Sequence, residues 1–166
     1  MPPPFPKLAE ALAGARRIAV VGVGSDLRGD DVAGVLVARR LAAFAKRERC
    51  EGLAAFMGGA APENFTGEIV RFAPDLVVLV DAAHLGKEPG AVELIPAESV
   101  GGLSFSTHML PVPIFLDYVT ARTGARSLVL GIDIVQKDVL APISPPVERA
   151  VRRVVRAFKR HFERAG

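Results

Sequence analysis

Residues 17–34 read RIAVVGVGSDLRGDDVAG, and their order decides the fold. The unbroken apolar run from Ile18 to Val23 has the composition of a strand covered on both faces, and a glycine-rich turn carries it into a segment of helical periodicity. The same grammar returns in DLVVLVDAA, residues 75–83, and in SLVLGI, residues 127–132. Working outward, strands are expected at Arg17 to Val23, Leu53 to Met57, Leu76 to Asp81, Ala91 to Pro96 and Ser127 to Ile132. Helices are expected near Lys7 to Ala13, from Asp31 to Lys46, from Pro62 to Phe72, from His108 to Arg122 and over the last twenty or so residues. Strands alternating with helices imply parallel βαβ units with right-handed crossovers. Only AAHLGKEPG separates Asp81 from Ala91, too short for a helical crossover, so the strand at 91–96 is expected to run antiparallel. The expected fold is α/β: a three-layer α/β/α sandwich on a mostly parallel five-stranded sheet, one domain spanning residues 1–166.

Composition agrees with that architecture. Half of the 166 residues are hydrophobic, only 6% are aromatic and tryptophan is absent, which suits a Val, Leu, Ile and Ala core on both sides of a sheet. The net charge of +3 is concentrated at one end: from Pro145 onward seven Lys/Arg face two Glu, leaving the remainder of the chain at −2. In that terminal segment Val147, Val151, Val154, Val155, Phe158 and Phe162 recur with helical spacing, so its basic residues read as a solvated outer face. No stacking platform or recognition motif accompanies the charge, which argues against a nucleic-acid partner. The single cysteine, Cys50, leaves no internal disulfide framework. The amino terminus is not shaped like a secretion signal and no apolar run is long enough to span a bilayer, so a cytoplasmic protein without membrane insertion is expected.

Chemistry concentrates where strands end. Asp31 follows the first strand, Asp81 closes the third, and His108 follows a loop in SFSTHMLPVP. In open α/β sheets ligands bind outside the carboxyl ends of the strands, and two carboxylates with an imidazole make a donor set that borderline divalent metals accept. Each residue also has a plain structural explanation. Asp30 or Asp31 suits a helix start, where a carboxylate caps free N–H groups, although only one of the two is needed there. Asp81 is placed to bond loop amides, and His108 to open a helix behind Ser106 and Thr107. His84, three residues after Asp81, is a weaker ligand candidate, and His161 reads as a surface residue of the basic helix. The glycines of GVGSDLRGDD invite a dinucleotide reading, but Leu27 stands where the third glycine is needed and no ribose-binding acid follows the second strand. No GxSxG elbow is present.

Taken together, GVGSDLRGDDVAG, GGAAPEN, LVVLVDAA and STHMLP resemble, in order and spacing, the hydrogenase maturation proteases, and most closely the branch that processes formate-hydrogenlyase-type hydrogenases. The resemblance implies an endopeptidase that trims a C-terminal extension from the large-subunit precursor of a nickel-iron hydrogenase. It implies that Asp31, Asp81 and His108 are the catalytic and nickel-binding residues, the nickel being recognised in the precursor rather than permanently held. Attack on the peptide by a metal-polarised route and by carboxylate-activated water both remain open. Two positions depart from the family pattern: Ser25 stands where Asn is usual, and Met57 where an acid usually precedes the two glycines. The alternatives are a non-catalytic, nickel-sensing chaperone of hydrogenase precursors and a nucleotide-binding Rossmann-like domain.

Overall fold

The computed structural model describes residues 5–102, 104–105 and 111–166. Its elements are α1 (Pro6–Leu12), β1 (Ile18–Val23), α2 (Ala33–Glu48), β2 (Leu53–Gly59), α3 (Thr66–Phe72), β3 (Leu76–His84), β4 (Val92–Pro96), β5 (Ser104–Phe105), α4 (Val112–Thr123), β6 (Arg126–Asp133) and α5 (Pro145–Ala165). The main path of the sheet runs β2-β1-β3-β6-β4. β1 is parallel to both β2 and β3, β3 is parallel to β6, and β4 closes the sheet antiparallel to β6, as the short connection requires. A two-residue addition was not expected: Ala83 and His84 extend β3 and pair antiparallel with Phe105 and Ser104 of β5.

The alternation of side chains along β3 explains why its sequence is an unbroken apolar run. Leu76, Val78, Val80 and Ala82 join the core under α1, α2 and α5, with Val37, Leu41, Val151 and Phe158. Val77 and Leu79 point the other way, to Ile69 of α3 and Phe115, Leu116 and Val119 of α4. Both faces are therefore dry, and each such Val or Leu contributes about 2 kcal/mol by leaving water.

Several boundaries differ from those expected. The first helix of the βαβ unit is preceded by a 3-10 turn, Gly29–Val32, and α2 itself starts at Ala33. Helix α4 starts at Val112 rather than at His108, because Pro111 is extended at its N-cap (ψ 133°) and Pro113 fits the first helical turn, where no N–H bond is forfeited. α5 carries its basic residues outward, yet some are engaged: Arg153 lies over the Phe5 ring and Lys159 over Phe44. His161 is part-buried rather than a free surface residue, with its Nε2 3.0 Å from the Ala15 carbonyl and its ring edge-on to Phe162.

Candidate active site

Strand order defines one crevice. From β1 the chain moves to β2 on one side, whereas from β3 it moves to β4 on the other, with β6 later filling the place between them, so the connections diverge between β1 and β3. That divergence is the switch point at which open α/β sheets bind ligands, at the carboxyl ends of the strands. Asp31 lies in the turn that leaves β1, and Asp81 lies near the carboxyl end of β3, one residue beyond the Gly22–Val80 pair. Both therefore stand at the same edge and on the two strands that border the crevice.

Close backbone packing holds this edge. A Cβ on Gly34 would come within 2.1 Å of the Val80 carbonyl oxygen and 2.5 Å of that of Val23, so the start of α2 rests directly on the β1–β3 boundary. A Cβ on Gly24 would lie 1.9 Å from the Asp31 carbonyl oxygen, which itself accepts the Ser25 N–H at 3.2 Å. The turn is thus folded back onto the end of β1, and its glycines are needed for that approach rather than for a phosphate.

The adjacent acids have different tasks, and neither caps a helix. Asp30 is fully buried and fastens the β6–α5 loop to the β1–α2 turn. Its Oδ2 accepts from the Val135 N–H (2.9 Å), the Gln136 N–H (3.3 Å) and the Ser144 hydroxyl (2.8 Å), and its Oδ1 accepts from the Ser144 N–H (2.7 Å). Asp31 is 5% exposed, and its Oδ1 is buried with no hydrogen-bond partner among the described residues. Such an acceptor is costly unless a cation, a donor or a bound water meets it, which is what a metal-binding role would supply. Asp81 is fully buried, on the side of β3 that faces α3 and α4.

His108 lies outside the described residues, so its position relative to the two carboxylates is not part of this geometry. The segment that carries it leads into α4, which covers the face on which Asp81 sits. Among the described residues, no group of three His, Cys, Asp or Glu side chains forms a metal-binding cluster. His84 is exposed and two residues on from Ala82, on the opposite side of β3 from Asp81.

Two acids were not singled out from the sequence. Asp133, at the carboxyl end of β6, accepts from the Lys87 N–H (2.7 Å) and the Ile134 N–H (3.0 Å), a fastening of the β3–β4 connection. Glu63, in the 3-10 turn that follows β2, has a buried Oε2 without a partner among the described residues, and it borders a cavity of about 170 Å³ with Thr66, Ile114, Phe115 and Tyr118. Glu63 sits inside the GGAAPEN block, but nothing in the spacing of that block marks its carboxylate as buried.

Residues 35–161 match the HycI hydrogenase maturation protease family model. The chain belongs to the hydrogenase maturation protease family. Within the family it is 31% identical to the hydrogenase 3 maturation protease of Escherichia coli K12 over 132 residues, 77% of this chain and 80% of that one. The crystal structure of the NiFe hydrogenase maturation protease HycI from Thermococcus kodakarensis KOD1 superposes with a TM-score of 0.85 at 32% identity, covering 95% of this chain and 99% of that one. The hydrogenase maturating endopeptidase HybD from E. coli, at 19% identity, shares the fold with a TM-score of 0.65, covering 90% of this chain and 94% of its own. No helix among the described residues of this family member is long and apolar enough to cross a membrane.

Proposed function

We propose that this chain is the cytoplasmic endopeptidase that removes the C-terminal extension of a nickel-loaded NiFe hydrogenase large-subunit precursor. Membership of the protease family supports a peptidase acting in hydrogenase maturation. The observation that carries the finer reading is the orphaned Asp31 Oδ1, buried beside the β1–β3 crevice at the edge that also bears Asp81. Asp31, Asp81 and His108 would hold the nickel of the precursor between them. A nickel ion so held supplies Lewis acidity toward the scissile carbonyl or a water molecule. The chain's own part is to hold two carboxylates in a largely water-excluded crevice, to fix the turn that presents Asp31 through Asp30, and to bring the precursor's tail across the carboxyl edge. Metal in the substrate then serves as the licence for cleavage.

The test is incubation with purified precursor, nickel-loaded and nickel-free, read as the mobility shift of the large subunit on a denaturing gel. Cleavage of the loaded form alone, lost in Asp31→Asn, is expected. Efficient cutting of nickel-free precursor would return the chemistry to carboxylate-activated water. Tight binding without cutting would make the chain a nickel-sensing chaperone.

A further inference from the structure

Seven large apolar side chains are exposed among the described residues, and four of them, Leu27, Val135, Val139 and Leu140, lie on just two loops. These loops, β1–α2 and β6–α5, are joined at the carboxyl edge. The Leu140 N–H donates to the Leu27 carbonyl at 2.7 Å, and the Asp30 carboxylate ties Val135, Gln136 and Ser144 to the turn that carries Asp31. Gln136 stiffens its own loop, donating from Nε2 to the Pro142 carbonyl and accepting from the Asp138 N–H.

Leu140 is the residue that the fold does not explain. Its backbone is left-handed (φ 62°), a conformation that costs a branched L-residue about 1–2 kcal/mol and that glycine adopts freely. Its side chain is 77% exposed and Leu27 is 62% exposed, so no burial within the chain offsets that cost. Strain held in place by a surrounding hydrogen-bond network, on an exposed apolar residue, is the signature of a contact made with something else.

We infer that Leu27, Val139 and Leu140 form a preorganised apolar lip that positions the protein substrate over the crevice, by receiving apolar side chains of the precursor beside the segment to be cut. The inference rests on the protease reading. The lip is tied to the Asp31 turn through Asp30 and stands at the same carboxyl edge as the crevice, so a polypeptide seated on it lies beside the crevice. A permanent partner, such as a second copy of this chain, would block the site, whereas a substrate must occupy both surfaces and then leave. Val135 borders the lip from the same loop.

The test uses the full chain and the nickel-loaded, full-length precursor, and measures KM and kcat for processing. Leu140→Gly removes the side chain and relieves the left-handed strain, so it should fold with a melting temperature close to or above the original. It should raise KM about tenfold, equivalent to about 1.4 kcal/mol of lost binding, and change kcat far less. Leu27→Ser should act in the same direction, and Ile114→Ser, an equal apolar loss on α4 away from the lip, should not. Unchanged KM in both lip variants, or an equal rise in Ile114→Ser, would overturn the inference while leaving the protease reading intact. A stable dimer in sedimentation that Leu140→Gly dissociates would also overturn it, by assigning the lip to a second copy. Failure of the unaltered chain to cut the loaded precursor would remove the protease reading and the lip with it.

Discussion

Two neighbouring carboxylates at positions 30 and 31 have opposite consequences when removed. Asp30→Ala strands four donors of the β6–α5 loop, and the protein should lose about 3 kcal/mol, a fall in melting temperature of roughly 6–12 °C. Asp31→Asn replaces a carboxylate whose buried oxygen no described residue satisfies, so thermal unfolding should occur at or above the original temperature while processing is abolished. A nickel titration separates the histidines: His108→Ala should weaken nickel binding at least about tenfold, and His84→Ala, exposed on the far side of β3, should leave it unchanged. Equal losses would bring His84 into the ligand set. The shared edge of Asp31 and Asp81 was legible in the sequence, because parallel strands place the acids that follow or close them at one edge of the sheet. The role of Asp30 was not, since its partners lie 105 to 114 positions further along the chain and a helix start offered a nearer explanation.

Among the elements, α2 depends most on one small residue. Gly34→Ala drives a methyl group into the Val80 and Val23 carbonyls and should cost about 3 kcal/mol, read by denaturant unfolding, with the crevice widened as α2 lifts. α5 is anchored differently. Burial raises the pKa of Glu148, but the hydrogen bonds and charges of Arg40 and Arg152 outweigh it and hold the carboxyl below its ordinary value. A depressed folded pKa stabilises the protein above the unfolded value and ceases to do so as pH falls through the folded one. The melting temperature of Glu148→Gln should therefore lie below that of the original at neutral pH, and the gap should close at a pH below about 4.3. Periodicity revealed the long elements and the antiparallel β4. It missed β5 because a two-residue strand has no period to read, its existence depending on the overhang of β3. It also set the start of α4 too early, by giving Ser106 and Thr107, read as candidate caps, more weight than the two prolines at 111 and 113.

At the scale of the whole molecule, the divergence of connections between β1 and β3 turns a local list of acids into a site. Alternating strands and helices made that divergence readable in outline, whereas the joining of two distant loops into a lip was not, because it rests on hydrogen bonds between residues far apart in the chain, Leu140 to Leu27 and the Asp30 carboxylate to Val135, Gln136 and Ser144. If metal in the precursor licenses the crevice, the fraction processed should follow nickel occupancy of the precursor and not the concentration of this chain. Raising the concentration of the chain a hundredfold over nickel-free precursor should leave the gel unchanged. The antiparallel closing strand has a consequence of another kind. β4 is an outer margin of the sheet, and unpaired margins recruit foreign strands. This one ends in Pro96, carries the Lys87–Glu93 ion pair on its flank, and has Phe5 and Leu8 beside Val92 and Leu94. The charge and the proline discourage stacking of one molecule on the next along this margin, so the sheet is guarded against edge-to-edge growth at the end opposite β2.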